Sequence, residues 1–317
     1  MGDLSQDTIP IKSAIQGDQE VVKTPFGPIS VTVAGDRNRT PLVTYHDVGV
    51  NHQSCFQQLM SCSSHKSLLV HNFCFYHIDA PGCEPGGECC PPGGRALEAE
   101  NLVDQVSAVI RHFELRDVVC FGVGMGGYIL ASYAARFPKD VAGLILASPL
   151  CKRPGWWEWA FGKKTAYHLW VSGWVASAAK HLSHRLFGRC LHSANGGAGG
   201  DLVLCYKRET IYGISPLAVS LYLTSTLNRR DISELVPKIR CKTLLFSGFE
   251  SSFEDDNLHF SSLLKPGIGS WVEIEGAGVL VTEEKPQALL QSIQLFLQGL
   301  QQMGHGLTWE LDYNGAT

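Results

Sequence analysis

The sequence predicts an α/β fold: a mostly parallel eight-stranded sheet with helices on both faces and a helical insertion near its middle. Three observations predict it. Strand and helix patterns alternate over residues 72–147 and again over 243–300, the order that builds a parallel sheet covered on both sides. Closely spaced glycines carry one strand straight into the next helix at 120–128. Residues 150–235 hold helical patterns without a convincing strand, as a cap inserted between two parts of one core would.

The elements follow in chain order. Residues 1–20 are polar and patternless and read as a disordered N-terminal segment. Ile29-Ser-Val-Thr-Val33 alternates as a half-buried strand, and Leu42-Val-Thr-Tyr45 follows a Gly/Asn/Pro turn, so the two are expected to open the core as a hairpin. Ser54 to Lys66 fits a helix, and Asn72-Phe-Cys-Phe-Tyr-His-Ile78 is a buried strand ending at Asp79-Ala-Pro-Gly82. Residues 83–95, CEPGGECCPPGGR, form a loop, because Pro and Gly break both kinds of ladder. Apolar positions 102, 103, 106, 109, 110 and 113 make one stripe of an amphipathic helix. Val118-Val-Cys-Phe121 is a strand, Gly126 to Arg136 a helix stopped before Pro138, and Leu144-Ile-Leu-Ala147 a strand. Thr243-Leu-Leu-Phe246, Trp271-Val-Glu-Ile274 and a helix from Pro286 to about Leu300 complete the pattern. The core is thus expected at 21–149 and 236–303, the cap at 150–235 with an interruption over Ser193 to Gly200, and a short C-terminal tail at 304–317.

With 317 residues, 44% of them hydrophobic and 18% charged, the chain can bury a sizeable core without staples. Its net charge of −4 supplies no global positive field, so nucleic acid is not an expected partner. Eleven cysteines, an odd number with several on apolar stretches, suit reduced thiols and a cytoplasmic setting. No apolar run reaches the ~18 residues of a membrane span, so no transmembrane segment is expected. Neither metal nor cofactor is expected: Cys83, Cys89 and Cys90 lack C-x-x-C spacing.

The strongest local signal is Cys120-Phe-Gly-Val-Gly-Met-Gly-Gly-Tyr128. It has the shape of the nucleophile elbow of α/β-hydrolases, G-x-S-x-G, whose central residue sits on a strained strand-to-helix turn. Gly122 and Gly126 are the flanks, and the central position is Gly124, which has no side chain to attack with. In hydrolases an acid follows a later strand and a histidine lies in a loop near the last one. Ser251 stands at the acid's spacing and Val279 in the histidine's loop, so all three triad seats look empty. His46-Asp-Val-Gly-Val-Asn-His52 sits where hydrolases place an oxyanion-hole loop. His46, Asp47, His77, Asp79 and Met125 are therefore taken as the lining of a vestigial cleft, and His46, His52, His77 and Asp79 as the groups a relocated catalytic set would use.

Four segments resemble the N-myc downstream-regulated (NDR) family: Thr44-Tyr-His-Asp-Val-Gly-Val-Asn-His-Gln-Ser-Cys-Phe56, His77-Ile-Asp-Ala-Pro-Gly82, Gly122-Val-Gly-Met-Gly-Gly-Tyr-Ile-Leu130 and Gly155-Trp-Trp-Glu-Trp159. The likeness covers residues 22–300 and is similar above all to the plant NDR-like branch. It implies an α/β-hydrolase fold with a helical cap, no hydrolytic activity, and roles in growth, stress and differentiation signalling. For plant members it further implies association with heterotrimeric G-protein βγ subunits and with auxin transport.

The cap offers a second candidate surface. Five of the seven tryptophans (156, 157, 159, 170, 174) fall there, and residues 151–190 carry seven Lys or Arg against the single acid Glu158. Trp156, Trp157 and Trp159 either pack under the cap or, with Lys152, Arg153, Lys163 and Lys164, dock an acidic protein or an anionic lipid headgroup. Asn228-Arg-Arg-Asp231 reads as an anion site or an inter-domain bridge. The expectation is a non-catalytic signalling adaptor acting through protein contacts. The alternatives are an esterase or thioesterase with relocated residues and a peripheral binder of anionic lipid.

Overall fold

The computed structural model describes residues 15–62, 66–87, 91–188, 206 and 213–302. Within them a single eight-stranded sheet runs in the order β1-β2-β4-β3-β5-β6-β7-β8. Its strands are β1 (Asp18–Thr24), β2 (Gly27–Ala34), β3 (Thr40–Tyr45), β4 (Phe73–Asp79), β5 (Val118–Val123), β6 (Val141–Ala147), β7 (Lys242–Gly248) and β8 (Gly269–Ile274). Only β1 and β2 are antiparallel to their neighbours.

The strands of the parallel centre are apolar throughout because both faces are covered. Alternate residues go to opposite sides. Val43, Cys120 and Leu144 join a core with Val106 and Leu130 of α3 (Ala99–His112) and α4 (Met125–Arg136). Leu42, Val119 and Ile145 join a second core with Phe56 of α1 (His52–Ser61) and with Leu289 and Ile293 of the C-terminal helix, Pro286–Gln302.

Among the described residues the cap, inserted between β6 and β7, holds α5 (Trp156–Ser172), α6 (Ala176–Phe187) and α7 (Pro216–Leu227). The remaining helices among the described residues are α2 (Lys66–Asn72), α8 (Glu254–Leu263), α9 (Val281–Glu284) and α10, the C-terminal helix already given. The expected interruption at 193–200, the tail at 304–317, and Cys89 and Cys90 lie outside the described residues.

Three expectations are corrected. The opening hairpin is β1 with β2, not β2 with β3, because β4 enters between the latter two and pairs with both (Val31↔Ile78, Val43↔Tyr76). The N-terminal segment cannot extend to residue 20, since β1 starts at Asp18 and pairs with Val33. Finally, the loop at 83–95 contains one short 3₁₀ turn, Pro92–Gly94, made by glycines with positive φ.

Candidate functional site

The parallel strands β3, β5, β6 and β7 all point their carboxyl ends to one edge of the sheet, where ligand sites of open α/β folds form. At that edge β5 turns directly into α4 through Gly124, which has φ 55° and ψ −115°. The turn expected from the glycine spacing is therefore present, with Gly124 at its strained centre.

The space beside Gly124 is filled by Asp47, from the loop after β3. A Cβ built on Gly124 would meet the Asp47 carboxylate. Met125 N–H, at the start of α4, donates to Asp47 Oδ1 at 2.9 Å. In α/β-hydrolases the N–H of the residue after the nucleophile helps stabilise the oxyanion; here a carboxylate of the chain itself takes that donor. The helix N-terminus favours the negative charge, and the side chain is fully buried.

Asp47 is tied to the cap. Arg185 of α6, buried, places Nη2 3.5 Å from Asp47 Oδ1 and Nη1 3.3 Å from Glu158 Oε1, and its guanidinium stacks 4.6 Å over the ring of Phe253. Arg229, just past α7, grips both oxygens of Glu158 at 2.8 and 2.9 Å and donates to the Lys152 carbonyl. Burial would raise the Glu158 carboxyl, but Arg229 and Arg185 hold it below its ordinary value. The result is an alternating chain Asp47–Arg185–Glu158–Arg229 running from the elbow into the cap. Of the two readings of Asn228-Arg-Arg-Asp231, the bridging one fits Arg229, although it joins cap helices to each other and Arg185 is the link to the core.

The histidines form a second cluster below. Asp79 accepts from His52 N–H at 2.8 Å and from the His52 ring at 2.6 Å, and His46 Nε2 lies 3.5 Å away. Burial works against the Asp79 charge, yet His52 and His46 hold its carboxyl below the usual value. His46 accepts from Ala80 N–H at Nε2, so its Nδ1 carries the proton and donates to the Asp47 carbonyl. Burial pushes the His46 imidazole down. His77, stacked between Phe75 and His52 and bonded to the Thr44 hydroxyl, is pushed down to about 3 by burial and by His52. The sequence places His46, Asp47, His77, Asp79 and Met125 along a cleft. The structure brings them together, but in a packed interior: all five are essentially inaccessible to solvent, and α7 closes over His46 through the Tyr222 hydroxyl, which donates to the His46 carbonyl.

The loops that carry Ser251 and Val279 meet, with Glu250 N–H donating to the Ala277 carbonyl. Ser251 is buried and its hydroxyl accepts from Phe253 N–H. Val279 is fully buried, with its N–H bonded to the Leu186 carbonyl at the end of α6. The cap helix thus docks on the loop that would deliver a histidine. Among the described residues, the one serine hydroxyl bonded to an imidazole is Ser233, 2.9 Å from His259, and Asp231, which accepts from Ser233 N–H, is near enough to interact with that ring through its charge.

On the cap, the packing reading fails for Trp156, Trp157 and Trp170, which are 70%, 71% and 64% exposed. Trp159 is about 39% exposed and stacks on Trp156, while Trp174 packs inward and donates to the Ile214 carbonyl. Arg153 and Lys164 are exposed, and Lys152 and Lys163 half-buried. Arg185 and Tyr222 had no sequence signal, and Glu158 stood out only as the single acid of its segment, because partners distant in the chain fix their roles. Among the described residues no group of three His, Cys, Asp or Glu is arranged to hold a metal, and no helix is long and apolar enough to cross a membrane.

Comparison with known proteins places these features. A solved esterase from Thermogutta terrifontis superposes with a TM-score of 0.72 at 18% identity over 89% of this chain and 99% of its own. An enol-lactonase from Burkholderia xenovorans gives 0.70 at 14% identity, over 88% and 100%. These likenesses establish the α/β-hydrolase fold. In sequence, the chain is 39% identical to Protein NDL1 of Arabidopsis thaliana over 92% of this chain and 82% of that protein. It is 36% identical to the pollen-specific protein SF21 of Helianthus annuus, over 89% and 80%. The pattern that defines the Ndr family matches residues 19–304, and the chain belongs to the Ndr family.

Proposed function

We propose that this protein is a non-catalytic member of the Ndr family, a signalling adaptor that uses a hydrolase scaffold to present surfaces to protein partners. The observation that carries this reading is the Asp47 carboxylate seated beside Gly124 on the Met125 N–H. A serine hydrolase needs a nucleophile, a base and an oriented acid around an open oxyanion site. Here Gly124, Val279 and Ser251 occupy the seats, and a fixed negative charge stands where a developing negative charge would have to go. Losing a single triad member costs on the order of 10⁴ to 10⁶ in turnover. The family likeness supports a role in growth, stress or development, with G-protein βγ subunits and auxin transport as the candidate partner and process. The buried free thiols Cys55, Cys74, Cys83, Cys120, Cys151 and Cys241 support a reducing, cytoplasmic setting.

The rival reading, an esterase with relocated residues, has one geometry in its favour, the Ser233–His259 contact. Fluorophosphonate labelling and a panel of activated esters separate the two. The adaptor reading expects no labelling above heat-denatured protein. Turnover abolished by Ser233→Ala, or by substitution of His46 or His77, would overturn it. A pull-down with immobilised Gβγ tests the candidate partner separately.

A further inference from the structure

The outward face of α5 is built unlike a solvated surface. Its inward side is Gly162, Thr165, Ala166 and Leu169. At 100° per residue, the opposite side carries Trp156, Trp157, Phe161, Tyr167, Trp170 and Val171, each more than half exposed. Trp157 and Phe161 stack at 5.9 Å, and Trp156 and Trp159 at 5.5 Å. Lys163 and Lys164 stand on the same helix, and Arg153 and Lys180 are exposed nearby in the chain. The only acid of the segment, Glu158, is turned away and neutralised by Arg229 and Arg185.

We propose that this face is a docking surface for a bilayer rich in acidic lipids, with α5 lying in the plane of the interface. Indole and phenol rings with one polar handle favour the headgroup boundary, and lysines on an otherwise apolar helix face draw it to anionic lipid. A second copy of the chain fits less well, since a two-fold contact through this face would set lysine against lysine. The helix is 17 residues, about 26 Å, which suits lying on a membrane rather than crossing it.

The test uses the whole chain and vesicles of phosphatidylcholine with or without roughly one third phosphatidylserine, the acidic fraction providing the surface potential. Cosedimentation is expected with the acidic vesicles only, weakening as salt rises, and brominated acyl chains should quench tryptophan emission. The double variant W156Q/W157Q should lose binding at least about tenfold, and K163Q/K164Q about 30-fold at low salt, from roughly one charge contribution per lysine. Both tryptophans are exposed, so the first variant should keep the parent's urea midpoint. Failure to bind acidic vesicles, or binding untouched by both variants, would overturn the proposal. So would a concentration-dependent dimer abolished by W156Q/W157Q, which would assign the face to a second copy.

Discussion

A Cβ placed on Gly124 would lie 2.5 Å from both carboxylate oxygens of Asp47, so the elbow and the loop after β3 are fitted to each other with no side chain at position 124. Gly124→Ser is therefore expected to destabilise the fold by about 2–4 kcal/mol, combining the strain of a side chain at positive φ with overpacking. On the adaptor reading ester turnover should stay at background, because Val279 and Ser251 stand at the positions proposed for base and acid. In a double-mutant cycle, Asp47→Gly should relieve part of the Gly124→Ser penalty, giving a coupling of about 1 kcal/mol or more. Urea midpoints of the four proteins measure it, and strict additivity would count against the fit.

Arg185 carries the second prediction. Its removal leaves the fully buried Asp47 carboxylate without its cation and hydrogen-bonded only to the Met125 N–H. Breaking a buried pair from one side costs about 3–5 kcal/mol, so Arg185→Met should lower stability by that order. Asp47→Asn in the same background should recover part of it, since an amide oxygen still accepts from Met125 without a charge to bury. A midpoint for Arg185→Met close to the parent's would show that the 3.5 Å approach carries little.

What the sequence made legible follows from what local sterics can encode. The elbow was readable because a strand running straight into a helix leaves no room for side chains, and the glycines at 122, 124 and 126 record that. β5, β6 and β7 were readable as apolar runs because both faces are buried. β1 was not, since it is an edge strand with Val21 exposed and Val22 buried, too weak an alternation to stand out. α8 buries only Asp256, Asn257 and Phe260, so it has no apolar stripe to detect. The hairpin error has another cause: which strand lies beside β2 is settled by β4, a matter of topology. Likewise the sequence located five tryptophans in the cap but not the side of α5 that the four on it face, and it named Asp47 without the arginine that reaches it.

The histidine cluster predicts the third outcome, a loss of stability in acid. His46 and His77 stay neutral in the folded protein, both lowered by burial, His77 to about 3. The unfolded chain takes up those protons near the ordinary value of 6.5. Their contribution is thus complete above about 6.5 and is lost as pH falls below it, for His77 progressively down to about 3. Asp79, also lowered, adds a loss of the same sign below its ordinary 3.8. Each neutral histidine can subtract up to about 1.4 kcal/mol per pH unit in that window. Urea unfolding between about pH 7.5 and pH 5 should show this slope, and His77→Gln should flatten it. An unchanged slope in the variant would mean that His77 is protonated in the folded state.

The last prediction concerns the contact between α6 and the loop that holds Val279. A Cβ on Gly278 would lie 2.6 Å from the Phe187 carbonyl carbon and 2.7 Å from the Leu186 oxygen. Both are backbone atoms, so no rotamer change can make room. Gly278→Ala should therefore push the last turn of α6 away from the loop and weaken two hydrogen bonds, from Val279 N–H at 2.7 Å and Leu280 N–H at 3.3 Å to the Leu186 carbonyl. The expected cost is about 1–3 kcal/mol. Hydrogen exchange locates it: the amides of Val279 and Leu280 should exchange faster, while those of β5 and β6, paired in the middle of the sheet, should slow or quicken only with global stability. If the variant instead exchanges uniformly faster, α6 and the loop are no more coupled to each other than to the rest of the core. A local effect would mean that the cap is held shut at the seat a catalytic histidine would need, by backbone geometry that only glycine permits.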